Sequence, residues 1–457
     1  MSFEGEFASY EPLRRMLDSA KVKALQERLK IRPTDDEKEI DELIIHKDDL
    51  EPSQLQPDLV LAIDGSSLTA KAENGFPGAE FGYVTVASVL IDLKLVKELE
   101  RNEFISPKKF RDTEKASTIE SVFPGCNVIL DSEKDAKASY RRALFEELRS
   151  NIIFSEGETL LDTFEHLFRI KRSTSEGSLP KSPIEEFKHE FMTYGYGEYI
   201  CPHSNEALFS TDALRLHELM NPAGTNGEMF GQTMATLEKL LLIHLLRAFE
   251  IKEKKEKGWY ATLRRVAFIM DGPLAVFSTS SWLTKAIDEE LCRINEEQKK
   301  INGVDLLIIG IEKSGTFFNH FLEIDTTKDG IKDKFPPKSA LLLTDNYIKK
   351  NIIFSESNKP YGQDTYFGRK FFYKAASGQK IVPVVACFTD YQKDLKTASP
   401  NQFVRLADVM NLLDQLVSSR YPNSVSPLVS AHAEAAIPLN LGRRIFEDMA
   451  REIRDKS

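Results

Sequence analysis

The sequence predicts an α/β protein: a sheet flanked by helices. Short apolar runs bounded by turn residues recur at 59–63, 81–93, 266–270 and 304–311, the pattern of buried strands. Between them lie segments with apolar residues at helical spacing, and strands alternating with helices mark an α/β core. Two of the runs end in Asp-Gly, at Asp64–Gly65 and Asp271–Gly272. The 457 residues exceed one ordinary domain, and a hydrophobic content of 41% supplies a sizeable core.

Residues 10–31 read as an amphipathic helix, with Leu13, Met16, Leu17, Val22, Leu25 and Leu29 near helical spacing. The segment 32–57, rich in Asp and Glu, reads as a solvated connection. The chain therefore divides into an N-terminal helix and linker, 1–56, and a main domain, 57–450. The first strand, 59–63, lifts Asp64 to the edge of a core and stops there. A carboxylate in that place is costly to bury unless a cation meets it. A Gly/Pro turn at 74–78 leads to the second strand, 81–93.

Residues 98–226 read as an insertion that elaborates the core, with helices over 134–149 and 159–169 and a polar loop over 173–182. The hexapeptide 151–156 recurs at 351–356, but the flanks do not match, so it is no duplication. A long helix follows over 229–253, with Met234, Leu237, Leu241, Leu245 and Ala248 on one stripe. Glu238 lies at the edge of that stripe, and an acid there is an informative exception. The alternative is an edge residue whose carboxylate reaches water. Glu250 falls on the opposite face and reads as solvated.

The strand 265–270 ends in Asp271, and a helix over 281–295 follows. The strand 304–311 runs into Glu312 and Lys313. A lysine just past a strand end can neutralise a phosphate; on the residues alone an ordinary surface lysine is the simpler reading. Buried runs at 341–347 and 380–388 complete the strands, and 404–419 reads as a helix. His432 stands at the start of a small-residue helical run, 433–437, where a histidine is more often a cap or packing residue than a ligand.

Two strands ending in Asp-Gly bring two carboxylates side by side, as a two-metal phosphodiesterase site requires, with ions ~3.5–4 Å apart. Asp-Gly after a strand also makes a plain turn, and for either residue alone that is the commoner role. The net charge of −10 argues against a nucleic-acid coat protein. It leaves room for a nuclease, since a basic channel can sit on an acidic body. Cys126, Cys201, Cys292 and Cys387 lie far apart without CxxC spacing, which fits reduced thiols in the cytoplasm. Cys201 and His203 make half a zinc site with no second half in view. Residues 1–10 carry no basic apolar leader, and no run of ~18 apolar residues exists, so no membrane span is expected.

Taken in order, the motifs resemble the NurA nuclease family. The matching pieces are Ile63-Asp64-Gly65-Ser66, Glu238 in its helix, Phe268 to Leu274, Gly310-Ile311-Glu312-Lys313, and the closing Tyr421-Pro422, Pro427-Leu428 and Ala431-His432. The resemblance covers about 57–450. It departs from the family pattern in the long segment before the Glu238 helix and in a wide spacing between Tyr421 and His432. The resemblance implies an RNase H-like fold, a mixed sheet flanked by helices, here with a large helical insertion. It implies Asp64, Glu238 and Asp271 as ligands of two Mn²⁺ or Mg²⁺ ions, and His432 as a further ligand or proton carrier. It also implies Lys313 on the scissile phosphate and Tyr421 in the catalytic set. The implied activity is exonucleolytic cleavage at DNA ends, often 5′ to 3′, with single-strand endonuclease action. The implied partners are DNA, a second copy of the chain around a central channel, and a hexameric HerA-type ATPase, in end resection, repair or phage defence. The rival is a catalytically inactive DNA clamp or ATPase-docking subunit. Asp64, Glu238, Asp271 and His432 occurring together speak against it. A small-molecule Rossmann enzyme lacks its glycine-rich fingerprint here.

Overall fold

The computed structural model describes residues 10–32, 40–52, 55–72, 78–95, 114–152, 157–174, 181–187, 196–326, 333–417 and 425–436, with 445, 448–449 and 451–452. It falls into two units, Met1–Glu42 and Leu43–Ser457. In the first, the single helix expected over 10–31 is two: α1 (Glu11–Asp18) and α2 (Ala20–Arg28). The break is at Ser19, which is extended at φ −67° and ψ 122°. Serine competes with the helix through its own hydroxyl and favours such junctions. Neither helix buries a residue, and Leu13, Met16, Leu17, Leu25 and Leu29 are exposed.

The second unit is built on one mixed sheet. Its strands are β1 (Ile44–His46), β2 (Leu59–Lys71), β3 (Glu80–Asp92), β4 (Glu114–Pro124), β7 (Val266–Asp271), β8 (Leu307–Glu312), β9 (Ser339–Leu342), β10 (Gly368–Lys374) and β11 (Lys380–Ala386). The order across the sheet is β1-β9-β10-β11-β8-β7-β2-β3-β4. A separate hairpin pairs β5 (Glu198–Ile200) with β6 (Ala207–Phe209). β2, β7 and β8 are parallel, and the remaining pairs are antiparallel. The parallel strands are covered on both faces, so Ala267, Phe268, Ile269 and Met270 are fully buried, as an unbroken apolar run requires.

Several expectations change here. β2 does not stop at Asp64. It runs on to Lys71 because β3 pairs with it throughout, from Leu59↔Asp92 to Lys71↔Glu80. What stops is the other neighbour: β7 pairs with β2 only as far as Ile63↔Met270. The stretch 32–57 is no plain linker, since β1 joins the sheet edge beside β9. The run 341–347 splits into β9 and a helix, because the Thr344 hydroxyl accepts the Tyr347 N–H and caps a new turn. β4 and β10 escaped notice, β4 in a polar stretch and β10 behind Arg369, Lys370 and Lys374.

The helices are α3 (Ala136–Ser150), α4 (Leu160–Thr174), α5 (Gly227–Lys255), α6 (Trp259–Leu263), α7 (Leu283–Asn302), α8 (Thr316–Ile324), α9 (Asp345–Asn351), α10 (Asp390–Lys393), α11 (Leu406–Leu416) and α12 (Ser426–Ala435). α3 and α4 belong to the insertion, which is not wholly an addition to the core: its β4 extends the main sheet beside β3. A buried Arg141–Asp212 pair at 2.6 Å ties α3 to the loop after β6. α5 lies across β2 and β3 and buries Leu237 and the run 240–246. Its seat depends on Gly82 of β3, where any Cβ would enter the ring of Phe230. Among the described residues no helix is long and apolar enough to cross a membrane.

Gly82→Ala is expected to destabilise the protein by about 1–3 kcal/mol by forcing α5 off the sheet. Denaturant titration checks this, and an unchanged midpoint would show that Phe230 has room to move.

Candidate active site

Asp64 lies where β2 loses its parallel neighbour, and Asp271 is the last residue of that neighbour. Asp64 is 2% exposed. Its Oδ1 accepts the Gly65 N–H at 2.8 Å, and its Oδ2 is 3.1 Å from His432 Nδ1. Asp271 Oδ1 accepts the Gly272 N–H at 3.0 Å and lies 3.0 Å from Lys313 Nζ. Glu238 comes from α5, 4% exposed, with Oε2 at 3.1 Å from Lys239 Nζ.

These groups feel one another. Burial, then the charges of Asp271 and Glu238, push the Asp64 carboxyl up to about 8, against the pull of Lys313. Burial raises the Glu238 carboxyl as well, with Asp271 adding to the effect and Lys239 opposing it. Proximity depends on Gly65. A Cβ there would stand 2.7 Å from Glu238 Oε1 and 2.7 Å from Met234 Cγ, so only glycine lets α5 bring its carboxylate against β2.

His432 is delivered by α12, which begins at Ser426 with Pro427 in its first turn, a favoured start. The histidine is therefore in the last turn and not at the start of a helix. Leu428, Ala431 and Ala435 form the buried face of α12, which packs on β2 and β3. The Thr85 hydroxyl of β3 donates to the Ala435 carbonyl and pins that end.

The NurA domain model matches residues 58–437. The chain belongs to the NurA family. Two solved structures are also similar to it. One is the crystal structure of the NurA nuclease from Sulfolobus solfataricus, 12% identical, covering 98% of this chain and 97% of that one, with a TM-score of 0.32. The other is a crystal structure of NurA, 10% identical with the same coverage and a TM-score of 0.31. Likeness this slight carries no functional statement. No curated protein matches the sequence.

Within this NurA domain the structure brings Asp64, Glu238, Asp271, Lys313 and His432 together. Tyr421 lies outside the described residues. Lys239 and Gly65 were missed as parts of the site. The signal for Lys239 was a lysine opening the apolar run 240–246; it is 4% exposed. Cys201 is buried and His203 stacks on Phe187. Among the described residues no three carboxylate, imidazole or thiol groups stand in a ready-made set about one point. Lys239 and Lys313 sit on two of the carboxylates instead.

The folded protein keeps a proton on Asp64 that the unfolded chain, with an ordinary carboxyl near about 4, releases. Asp64 therefore costs stability increasingly as the pH rises toward 8. In EDTA, Asp64→Asn is expected to melt above wild type, by a margin that widens from about pH 5 to about pH 8. A constant margin in thermal melts would contradict the burial of an unneutralised carboxylate.

Proposed function

We propose that this NurA-family chain is a metal-dependent deoxyribonuclease that hydrolyses phosphodiester bonds at DNA ends. The observation that supports it most is the electrostatic state of Asp64, buried and raised by two neighbouring carboxylates. Mutually repelling acids of this kind are stabilised by a divalent cation. Oxygen donors with one imidazole suit Mn²⁺ or Mg²⁺. Asp64, Glu238 and Asp271 would hold the metal, with His432 at its edge. When bound, the ions supply Lewis acidity to the attacking and leaving oxygens.

The chain's own groups do the rest. Lys313 stands just past β8 with its ammonium on Asp271. Once Asp271 is otherwise neutralised, that ammonium is free to hold the scissile phosphate or its neighbour. Lys239 keeps Glu238 oriented from within the core. His432 bonds Asp64 through Nδ1 while its side chain is 60% exposed, so it can exchange a proton between the site and solvent.

The reading extends to 5′ to 3′ exonuclease action with single-strand endonuclease activity, in the cytoplasm, by a homodimer. It extends also to a hexameric HerA-type translocase in end resection, repair or phage defence. A net charge of −10 supports the need for such a partner, because an acidic body gains little steering toward polyanionic DNA.

End-labelled DNA incubated with Mn²⁺ tests the assignment. Asp64→Ala, Asp271→Ala and Glu238→Gln are expected to fall to background, with cooperative melting retained. Glu250→Gln is expected to stay near wild type, since Glu250 pairs with Arg293 and Lys254 and not with the carboxylate group. Full activity in Glu238→Gln would end its role.

The partnership has its own check. Degradation of long duplex DNA is expected to be feeble for the protein alone and to rise sharply with the HerA-type ATPase of the same source and ATP. No co-elution and no ATP-dependent gain would remove the partner and leave the nuclease.

A further inference from the structure

Lys313 sits on a short turn between β8, which ends at Glu312, and α8, which begins at Thr316. Gly315 shapes that turn with a φ of +95°. One side chain grips the turn from both flanks. Lys370 of β10 reaches across β11 and places Nζ 2.6 Å from Glu312 Oε1. The same ammonium stands over the ring of Phe317, in the first turn of α8, 3.6 Å from its centroid. Lys370 is 6% exposed and the Glu312 side chain 10%. Lys370 Nζ also lies 4.5 Å from the ring centroid of Tyr366. Tyr366 is bridged to Ala275, Val276 N–H donates to the Thr365 carbonyl at 2.9 Å, and Phe367 N–H to that of Leu274 at 3.0 Å. The wall behind the ammonium is thus stitched to the stretch after Asp271. The two strand ends meet here as well. Gly272 N–H donates to the Ile311 carbonyl at 2.8 Å, and a Cβ at Gly310 would stand 2.6 Å from the Gly272 carbonyl oxygen.

Stability alone does not explain such a pair. Burial pushes the Glu312 carboxyl up and the Lys370 ammonium down, each against the pull of the other. Apolar side chains of similar volume often stabilise a core as well as a buried ion pair does. What the pair adds is direction. Consecutive side chains of a strand leave on opposite faces. Anchoring Glu312 on the side of Phe317 and Tyr366 therefore turns Lys313 the other way, onto Asp271 at 3.0 Å.

We propose that Lys370 is a positioning residue for Lys313: its ion pair with Glu312, backed by Phe317 and Tyr366, sets the turn that holds the Lys313 ammonium at Asp271. Resting on the nuclease reading, this places one lysine behind another. Lys370 is too deep to meet DNA and acts through Lys313 on the scissile phosphate. Loss of the pair leaves the DNA-binding surface in place and moves a charge away from where the transition state needs it. Turnover then falls while substrate affinity holds.

The test combines Lys370→Met and Glu312→Met in one full-length chain, which removes both charges and leaves neither buried alone. The first readout is the rate at which an amine-reactive ester modifies Lys313, followed by peptide mass spectrometry without DNA or metal. It needs no cleavage, so a failed nuclease assay leaves its result standing. Lys313 is expected to react about 3-fold faster or more than in wild type, the scale of a lost half-exposed ion pair. Lys300, exposed and paired with Glu297, should react at one rate in both proteins. The second readout is steady-state cleavage of end-labelled DNA with Mn²⁺. There kcat is expected to fall about 10- to 100-fold, as for a reacting group misplaced by about 1 Å, with KM within about 2-fold of wild type. Should the paired variant lose cooperative melting, Glu312→Gln takes its place and is expected to move both readouts in the same directions. An unchanged Lys313 rate in a folded variant, a wild-type kcat, or a loss of activity carried by KM would overturn the proposal.

Discussion

The burial of Asp64 beside Glu238 and Asp271 is the constraint around which the second unit is arranged. Burial resists the ionisation of Asp64, and the charges of Asp271 and Glu238 add to that resistance. The sheet holds it there regardless. β2 is clamped by β3 along its whole length and by β7 up to Ile63, so Asp64 cannot withdraw without unpairing a central strand. α5 supplies Glu238 from above, seated by two glycines, Gly65 at the carboxylate and Gly82 under Phe230. Lys239 and Lys313 each stand on one of the other two carboxyl groups, Glu238 and Asp271.

Much of this was legible in the chain. The unbroken apolar run 266–270 reads as a buried strand, and the strand it forms ends at Asp271. The leucine stripe of α5 separated Glu238, which faces the site, from Glu250, which reads as solvated but is largely buried in a pair with Arg293. Other parts were hidden for physical reasons. Apolar content falls after Asp64, which read as a strand end, yet β3 continues to offer hydrogen bonds to Lys71. Backbone pairing leaves no trace in side-chain hydrophobicity. β10 carries three basic residues because each finds a partner in the fold: Arg369 among carbonyls, Lys370 on Glu312, Lys374 on Asp325. His432 reaches Asp64 across 368 residues, a contact that no local pattern encodes.

The sheet carries two polar centres. The first gathers the carboxyl groups of Asp64, Glu238 and Asp271 with Lys239 and Lys313 at the ends of β2 and β7. The second lies across β8 and β11, where Arg369 of β10 is held by backbone carbonyls and the Phe403 ring. The residues between them, Glu312 and Lys313, are consecutive and turn to different partners, Lys370 and Asp271.

The most direct measurement of the central claim is a crystal of the protein soaked with Mn²⁺ and read by anomalous scattering. The account predicts a peak in coordinating contact with Asp64 and Asp271, with the Lys313 ammonium moved off Asp271. Manganese bound elsewhere, with Lys313 still paired to Asp271 and His432 still on Asp64, would contradict it.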